Sequence, residues 1–389
     1  SAVVRLAVVS VDKVVQLFDE MGVRQDRFAA KAAVKGNKNF LVRCIAFSPD
    51  CTKLAVGQTD NICIIYKLGR NWGHKKTVCN KFPQQAEVTA MCWPTETPQK
   101  LIFCTSDGAV KIGNTKTHKT QVLFQPNEPN YCVAVCSSPD GQTVVSAHLD
   151  GTIFRMSFES GTSTAAVQKI AQHTCPAYAL DFGRCILAGG GDQKVHLYNV
   201  ETCEKICDFD YTEDDKVQDM TVARFAPGGT TCVVGNWNCF FIYSYDNKSE
   251  SWREISRKEI PNLHSITALS WKSDGSKLAI GATCGVADIY DACLRRYRYR
   301  GAFEFTYISP SQVIVKRLSN NERVVVKSNY DGVEITRINI FQNRFLVANT
   351  SQTLLMGDLD KSLISEIPWV SNGSEKFFFD NESVCMAYN

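Results

Sequence analysis

LVRCIAFSPDCTKLAVGQTDNICIIYKLG, from Leu41 to Gly69, is the stretch whose reading decides the fold. An apolar strand breaks at a Ser-Pro-Asp turn, a strand of small residues follows, a second polar break comes at Asp60, and the last strand carries an aromatic. HSITALSWKSDGSKLAIGATCGVADIYDA, from His264 to Ala292, repeats the plan. Pro presets φ, Gly accepts positive φ and Asp bonds its own backbone, so these breaks are turns for a physical reason.

Working outward, the last core-facing residue of each opening strand can be followed through Phe47, Trp93, Ser137, Phe182, Phe225 and Trp271, at spacings of 46, 44, 45, 43 and 46 residues. That period is the one of a four-stranded WD-type propeller blade and excludes the shorter helical repeats. First turns read SPD at Ser48–Asp50, SPDG at Ser138–Gly141, APGG at Ala226–Gly229 and SDG at Ser273–Gly275. Second turns carry Asp12, Asp60, Asp107, Asp150 and Asp192, several followed by Gly or Asn, as short hairpin connections prefer. No long stripe of 3.6-residue period interrupts the strands, which argues against an α/β enzyme core.

The reading is an all-β chain: a seven-bladed WD40-type β-propeller over residues 1–300, then the first blades of a second over 301–389. Only three strands of the first blade are visible, so its fourth is expected from residues upstream of Ser1 or from the other terminus. Two blades cannot close a ring, and continuation past Asn389 into a second propeller is expected.

The chemistry-bearing residues do not assemble into a catalytic pattern. The formal net charge is +3 and no block of like charges occurs, which speaks against a general nucleic-acid binder. The 17 cysteines are scattered inside strands, where they act as small hydrophobes, and this usage fits a reducing compartment. Cys132 with Cys136 and Cys203 with Cys207 lack a second matching pair, so no zinc spacing is present. No metal and no cofactor is expected. His148 in SAHLDG reads as structural, and Gly189–Gly191 lead into a strand and not into the helix of a phosphate loop. Sequons at Asn247, Asn372 and Asn381 are discounted.

Two surface features carry functional expectations. The loops leading into successive blades gather on one face of a propeller and make a rigid docking platform. Their candidate partner-binding residues are Lys35, Asn37, Lys38, Gln84, Gln85, Asn127, Glu128, Asp214, Asp215, Asn262 and His264. The run RRYRYR interleaves cations with aromatics, and Arg295, Arg296, Arg298 and Arg300 are candidates for contact with an acidic partner or lipid headgroups. The plainer reading makes this run an outer blade strand and the link between propellers.

Beyond the blade pattern, GQTDNICIIYKLGRNWG (Gly57–Gly73), KEIPNLHSITALSWKSDGSKL (Lys258–Leu278), DACLRRY (Asp291–Tyr297) and PSQVIVKRLSNNERVVVKSNY (Pro310–Tyr330) closely resemble the amino-terminal region of the family of the largest, one-hundred-seventy-two kilodalton, subunit of intraflagellar transport complex B. The resemblance runs from about Ala7 to Asn389. It implies tandem propellers ahead of a helical solenoid, no catalytic activity, and a scaffold role in the peripheral part of complex B. The implied partners are other complex B subunits, including one with a calponin-homology domain, with membrane contact also raised by the likeness to vesicle coats. The implied location is the cilium or flagellum, basal body and cytoplasm. The family's WD dipeptides are degenerate: Phe18-Asp19, Tyr66-Lys67, Gly113-Asn114, Tyr198-Asn199 and Tyr290-Asp291 stand in their places, which puts the hydrogen-bond network of standard WD repeats in doubt. Two rivals are a coat-like module binding anionic membranes and a propeller hydrolase with acids converging on its channel.

Overall fold

The structure, a computed structural model, describes residues 5–69, 71–158, 165–246, 249–292, 295–309, 311–330, 333–350, 352–370, 375–381 and 384–388. Among these every regular element is a β-strand, and consecutive strands pair antiparallel as meanders. The first sheet has three strands (Leu6–Val9, Val14–Phe18, Arg24–Ala29), and five four-stranded sheets follow, opening at Val42–Phe47, Val88–Cys92, Cys132–Ser137, Ala179–Phe182 and Val222–Phe225. Ile266–Trp271, Lys277–Ala282 and Ala287–Asp291 make a seventh sheet of three strands. By compactness the chain divides into one unit of Ser1–Ser270 with Ala279–Ile289 and another of Trp271–Leu278 with Tyr290–Asn389.

In the first unit the cores lie between sheets, not within them. Ala55, Cys63 and Ile65 of the second sheet pack with Met91, Trp93, Leu101 and Phe103 of the third. Cys136 and Val145 of the fourth meet Leu180 and Ile186 of the fifth, and Leu187 and Leu197 of the fifth meet Phe225 and Tyr243 of the sixth. Each side of a sheet must therefore be buried by its neighbour, which is how a propeller repeat gains stability.

A small residue on each second strand makes that approach close. Gly57, Cys104, Ala147, Gly189 and Gly235 pair with Cys44, Ala90, Ala134, Ala179 and Val222 on the adjoining first strands. A Cβ added to Gly57 would stand 2.6 Å from Cys44 Sγ and 2.7 Å from Met91 Cε and Val88 Cγ1. At Gly235 it would meet Ile266 Cγ2 and Val222 Cγ1 at 2.9 Å. The first strand of the next sheet is thus seated on bare backbone. Several first strands also bulge near their start, between Val42 and Cys44, Val88 and Ala90, and Cys132 and Ala134, which bends them locally.

In the second unit Arg295–Tyr299 pairs with Phe303–Ser309 and opens the four-stranded sheet that ends at Arg323–Lys327. The sequence reading had this run close a blade as an outer strand; it opens a new sheet instead. The reason is aromatic packing: Tyr299 stacks on Phe305 at 5.2 Å between ring centroids, and Tyr297 meets the same ring edge-on at 5.3 Å. Phe303, Phe305, Tyr307, Val313 and Val315 then share a core with Ile335, Ile338 and Leu346 of the next sheet.

Glycine substitution tests the close approach. Gly57→Ala is expected to destabilise by about 1–3 kcal/mol through overpacking. Gly281→Ala, whose Cβ would meet only Ala268 Cβ at 3.5 Å, should be neutral or stabilising by up to about 1 kcal/mol. Urea midpoints and thermal unfolding of the two variants check the contrast; equal shifts would remove the packing account.

Candidate docking face

In an antiparallel meander the turn between the second and third strands and the loop leaving the fourth strand lie at the same end of the sheet. The first unit ties these segments into one belt. Ala30 N donates to Lys13 O at 2.9 Å, and Ala33 N to Asp60 Oδ2 at 2.7 Å, so the loop carrying Lys35, Asn37 and Lys38 bridges two successive turns. Gln84 N donates to Asn61 O at 2.7 Å while Ser106 N reaches Glu87 O at 2.9 Å, repeating the bridge. Asn130 N donates to Asp107 O at 3.4 Å, and its side-chain oxygen accepts from Asp150 N at 3.4 Å. Tyr211 N to Gln193 O (3.1 Å) and Gln218 N to Asn236 Oδ1 (3.1 Å) do the same for the loop holding Asp214 and Asp215. Ile260 N to Asn238 O (2.8 Å) and Thr283 N to His264 O (3.2 Å) complete the series.

The turns themselves explain the recurring aspartates. The residue after each is left-handed: Lys13 (φ 63°), Asn61 (62°), Gly108 (90°), Gly151 (84°) and Gln193 (58°). Asp107 Oδ1 accepts from Thr105 Oγ1 at 2.5 Å and Ala109 N at 3.3 Å, and Asp150 Oδ1 from Thr152 Oγ1 at 2.5 Å and Thr152 N at 2.9 Å. Asp12 Oδ1 accepts from Val14 N at 3.1 Å and Ser10 Oγ at 2.8 Å, which lowers its pKa. Partial burial pushes the Asp107, Asp150 and Asp192 carboxyls up, and their hydrogen bonds outweigh it, leaving all three below the usual carboxylate range.

Where the belt crosses the sixth sheet it opens into a cleft of about 630 Å³ lined by Asp215, Lys216, Gln218, Trp237, Asn238, Arg257 and Glu259. Trp237 sits on the turn of that sheet with 46% of its surface exposed, and His264 meets its ring edge-on at 5.4 Å. Arg257 is fixed by Asp214 at 2.7 Å and lies over the Phe241 ring at 5.2 Å. Asp215 therefore lines the cleft, while Asp214 and His264 each touch one of its lining residues, Arg257 and Trp237. Gln84 lies elsewhere on the belt, accepting from Lys111 Nζ at 3.0 Å, as does Gln85, whose carbonyl accepts from Asn61 Nδ2 at 3.2 Å. Asn127, Glu128 and Asn262 are exposed on their loops. Trp237 and Arg257 were missed by sequence reading, although a tryptophan between two asparagines on a turn was a visible signal.

Arg296 and Arg298 are exposed on the strand Arg295–Tyr299 of the second unit and Arg300 on the turn that follows it; the Arg295 side chain lies outside the described residues, as do Asn247 and Asn372.

A second cluster lies on the fifth sheet. His173 Nε2 and Tyr198 Oη are 2.7 Å apart, and the His173 and His196 rings meet edge-on at 4.6 Å. His196 Nε2 is 3.4 Å from Asp192 Oδ2. Burial pushes the His173 imidazole down to about 4, so it is neutral near pH 7.

With this geometry in hand, the chain can be compared with known proteins. The WD domain, G-beta repeat, matches residues 30–67 and 119–154. Intraflagellar transport protein 172 of Chlamydomonas reinhardtii is 46% identical over 99% of this chain, and the Homo sapiens homolog 44% over 99%. Intraflagellar transport protein osm-1 of Caenorhabditis elegans is 35% identical over 99%. Along its whole length the chain is similar to the N-terminal WD-repeat region of the intraflagellar transport protein 172 family. It spans 22% of the length of those relatives. A chain in the crystal structure of the mitotic checkpoint complex aligns with a TM-score of 0.58 at 17% identity, covering 75% of this chain and 83% of that one, a likeness of fold alone.

Against that family, the replaced WD dipeptides have a structural answer. Tyrosines on the third strands take over the polar link to the preceding loop: Tyr66 Oη accepts from Lys31 N at 2.8 Å, Tyr198 pairs with His173, and Tyr243 Oη pairs with Tyr211 Oη at 2.7 Å. At Gly113 no polar group remains, and the Phe82 ring fills the space, 3.0 Å from where a Cβ would stand. In the fourth sheet buried His148 takes the role, with Nε2 3.0 Å from Ser146 Oγ and Nδ1 3.0 Å from Asn130 O.

Burial lowers the His148 pKa below its ordinary 6.5. The unfolded chain then takes up the proton first as pH falls, so this group's stability is intact above about 6.5 and is lost towards the lower, folded pKa. His148→Gln is expected to flatten the fall in urea midpoint between pH 7 and 5, relative to the wild type; an unchanged pH profile would show that His148 does not contribute.

Proposed function

We propose that this chain is a non-enzymatic docking module of intraflagellar transport complex B, in its peripheral part, acting in cilium assembly and maintenance. Residues 1–300 are read as a seven-bladed propeller and 301–389 as the beginning of a second, with the strand Arg295–Tyr299 passing from the first to the second. The belt of loops on the first unit is the proposed platform for other complex B subunits, among them the one with a calponin-homology domain. The implied locations are the cilium or flagellum, the basal body and the cytoplasm.

The single observation that carries the docking reading is Trp237. A half-exposed tryptophan inside a cleft rimmed by Asp215, Lys216, Arg257 and Glu259 has the anatomy of an interface hot spot, an aromatic anchor with a polar rim. Single exposed hydrophobes are common on monomers; one held in a polar cleft against His264 is a better anchor, because its rotamer is already restricted. The relatives' names supply the setting, since each is an intraflagellar transport protein.

Pull-down of complex B subunits, identified by mass spectrometry, tests the reading. Trp237→Ala should cost about 2 kcal/mol or more of binding, or roughly 30-fold in affinity, for the subunit held at the cleft. Arg296→Glu with Arg298→Glu should leave subunit retention unchanged. Failure of the intact chain to retain any complex B subunit would sink the docking reading, and loss of retention with the arginine pair alone would move the platform to the second unit.

A further inference from the structure

We infer that His173, Asp192 and His196 form a zinc-binding site at the junction of the fifth sheet's leading loop, its second turn and its third strand. One ligand atom from each residue falls within 4.8 Å of the others. Tetrahedral zinc with bonds of about 2.0–2.1 Å holds neighbouring ligand atoms roughly 3.3 Å apart. His196 Nε2 and Asp192 Oδ2 already stand at 3.4 Å, long for a charged hydrogen bond and suited to two ligands of one ion. His173 is only 8% exposed, and its Nδ1 has no hydrogen-bond partner. Since His173 Nε2 is taken by Tyr198 Oη at 2.7 Å, Nδ1 is the nitrogen left for an ion.

The surroundings have the character of an outer shell. Metal-bound imidazoles donate their second nitrogen to a carboxylate, carbonyl or hydroxyl, which fixes tautomer and ring orientation. Tyr198 Oη stands in that position for His173. His196 Nδ1 is buried without a hydrogen bond, and Asp208 Oδ2 at 3.9 Å is the carboxylate that a small ring shift on ion binding would bring within reach of it. Two imidazoles and one carboxylate favour zinc over calcium or magnesium, which take oxygen ligands. Such an ion would pin the loop of His173 to the turn of Asp192, a link that other parts of the belt make with hydrogen bonds.

The test is titration of the metal-stripped chain with zinc against a chromophoric chelator, with zinc X-ray absorption on the wild-type complex. One saturable equivalent is expected, with a spectrum of two imidazole ligands. His173→Gln with His196→Gln should remove saturable binding, and Asp208→Asn should weaken it about 10-fold. Circular dichroism and thermal melting without zinc check that the variants fold. If the double variant does not, His196→Gln alone and the wild-type spectrum decide. Zinc bound equally by folded variants, a wild-type spectrum without imidazole, or no saturable equivalent would overturn the assignment.

Discussion

The close seating of each sheet's first strand on the second strand of the sheet before it is the constraint on which the first unit depends. It needs a residue with little or no side chain at one position per repeat, met by Gly57, Cys104, Ala147, Gly189 and Gly235. A larger residue there would push the next strand off the face that must bury Ala55, Ile65 and Phe103, or Leu187 and Leu197. Because the cores lie between sheets, loss of one seat exposes two faces at once. The repeat length follows from the same geometry: a meander must be long enough to cover its neighbour's face and return to the inner edge.

Once the sheets are seated, their ends are fixed, and the polar backbone at those ends has to be satisfied. The belt does this with few sequence requirements. A left-handed residue after each aspartate presents a carbonyl or amide to the departing loop, and glycine, asparagine, lysine or glutamine serves. Where standard WD repeats spend a tryptophan, this chain spends Tyr66, Tyr198, Tyr243 or His148, and at Gly113 it fills the space with Phe82 instead. What persists is the requirement that buried polar groups be paired, not the residues that pair them.

That distinction explains what could be read in advance. Periods, turns and leading loops are local in sequence, so the strands opening at Val42 and Ile266 lie within two residues of where the cassettes at Leu41 and His264 begin, whereas the cleft around Trp237 joins residues from several loops and turns and is not local. The alternating arginines and tyrosines of Arg295–Tyr299 fit a closing strand as well as an opening one. Only the packing of Tyr297 and Tyr299 on Phe305 separates the two. His173, Asp192 and His196 come from a loop, a turn and a strand at no ligand spacing, so nothing in the sequence joins them.

Charge on the belt is uneven although the chain is nearly neutral. On the segments of the first three sheets Lys13, Lys35, Lys38 and Lys111 are matched by Asp12, Asp60, Glu87 and Asp107, whereas Asp192, Asp208, Asp210, Glu213, Asp214 and Asp215 crowd the fifth and the loop after it. Lys194 and Lys205 offset part of that acidity, pairing with Asp210 at 2.6 Å and Asp208 at 2.9 Å. At physiological ionic strength screening acts over about 8 Å, less than the width of two sheets packed roughly 10 Å apart, so the acidic segment presents its field apart from the balanced ones. On a docking platform of the kind proposed, such a field would set orientation and encounter rate, and an apolar contact at Trp237 would set residence time.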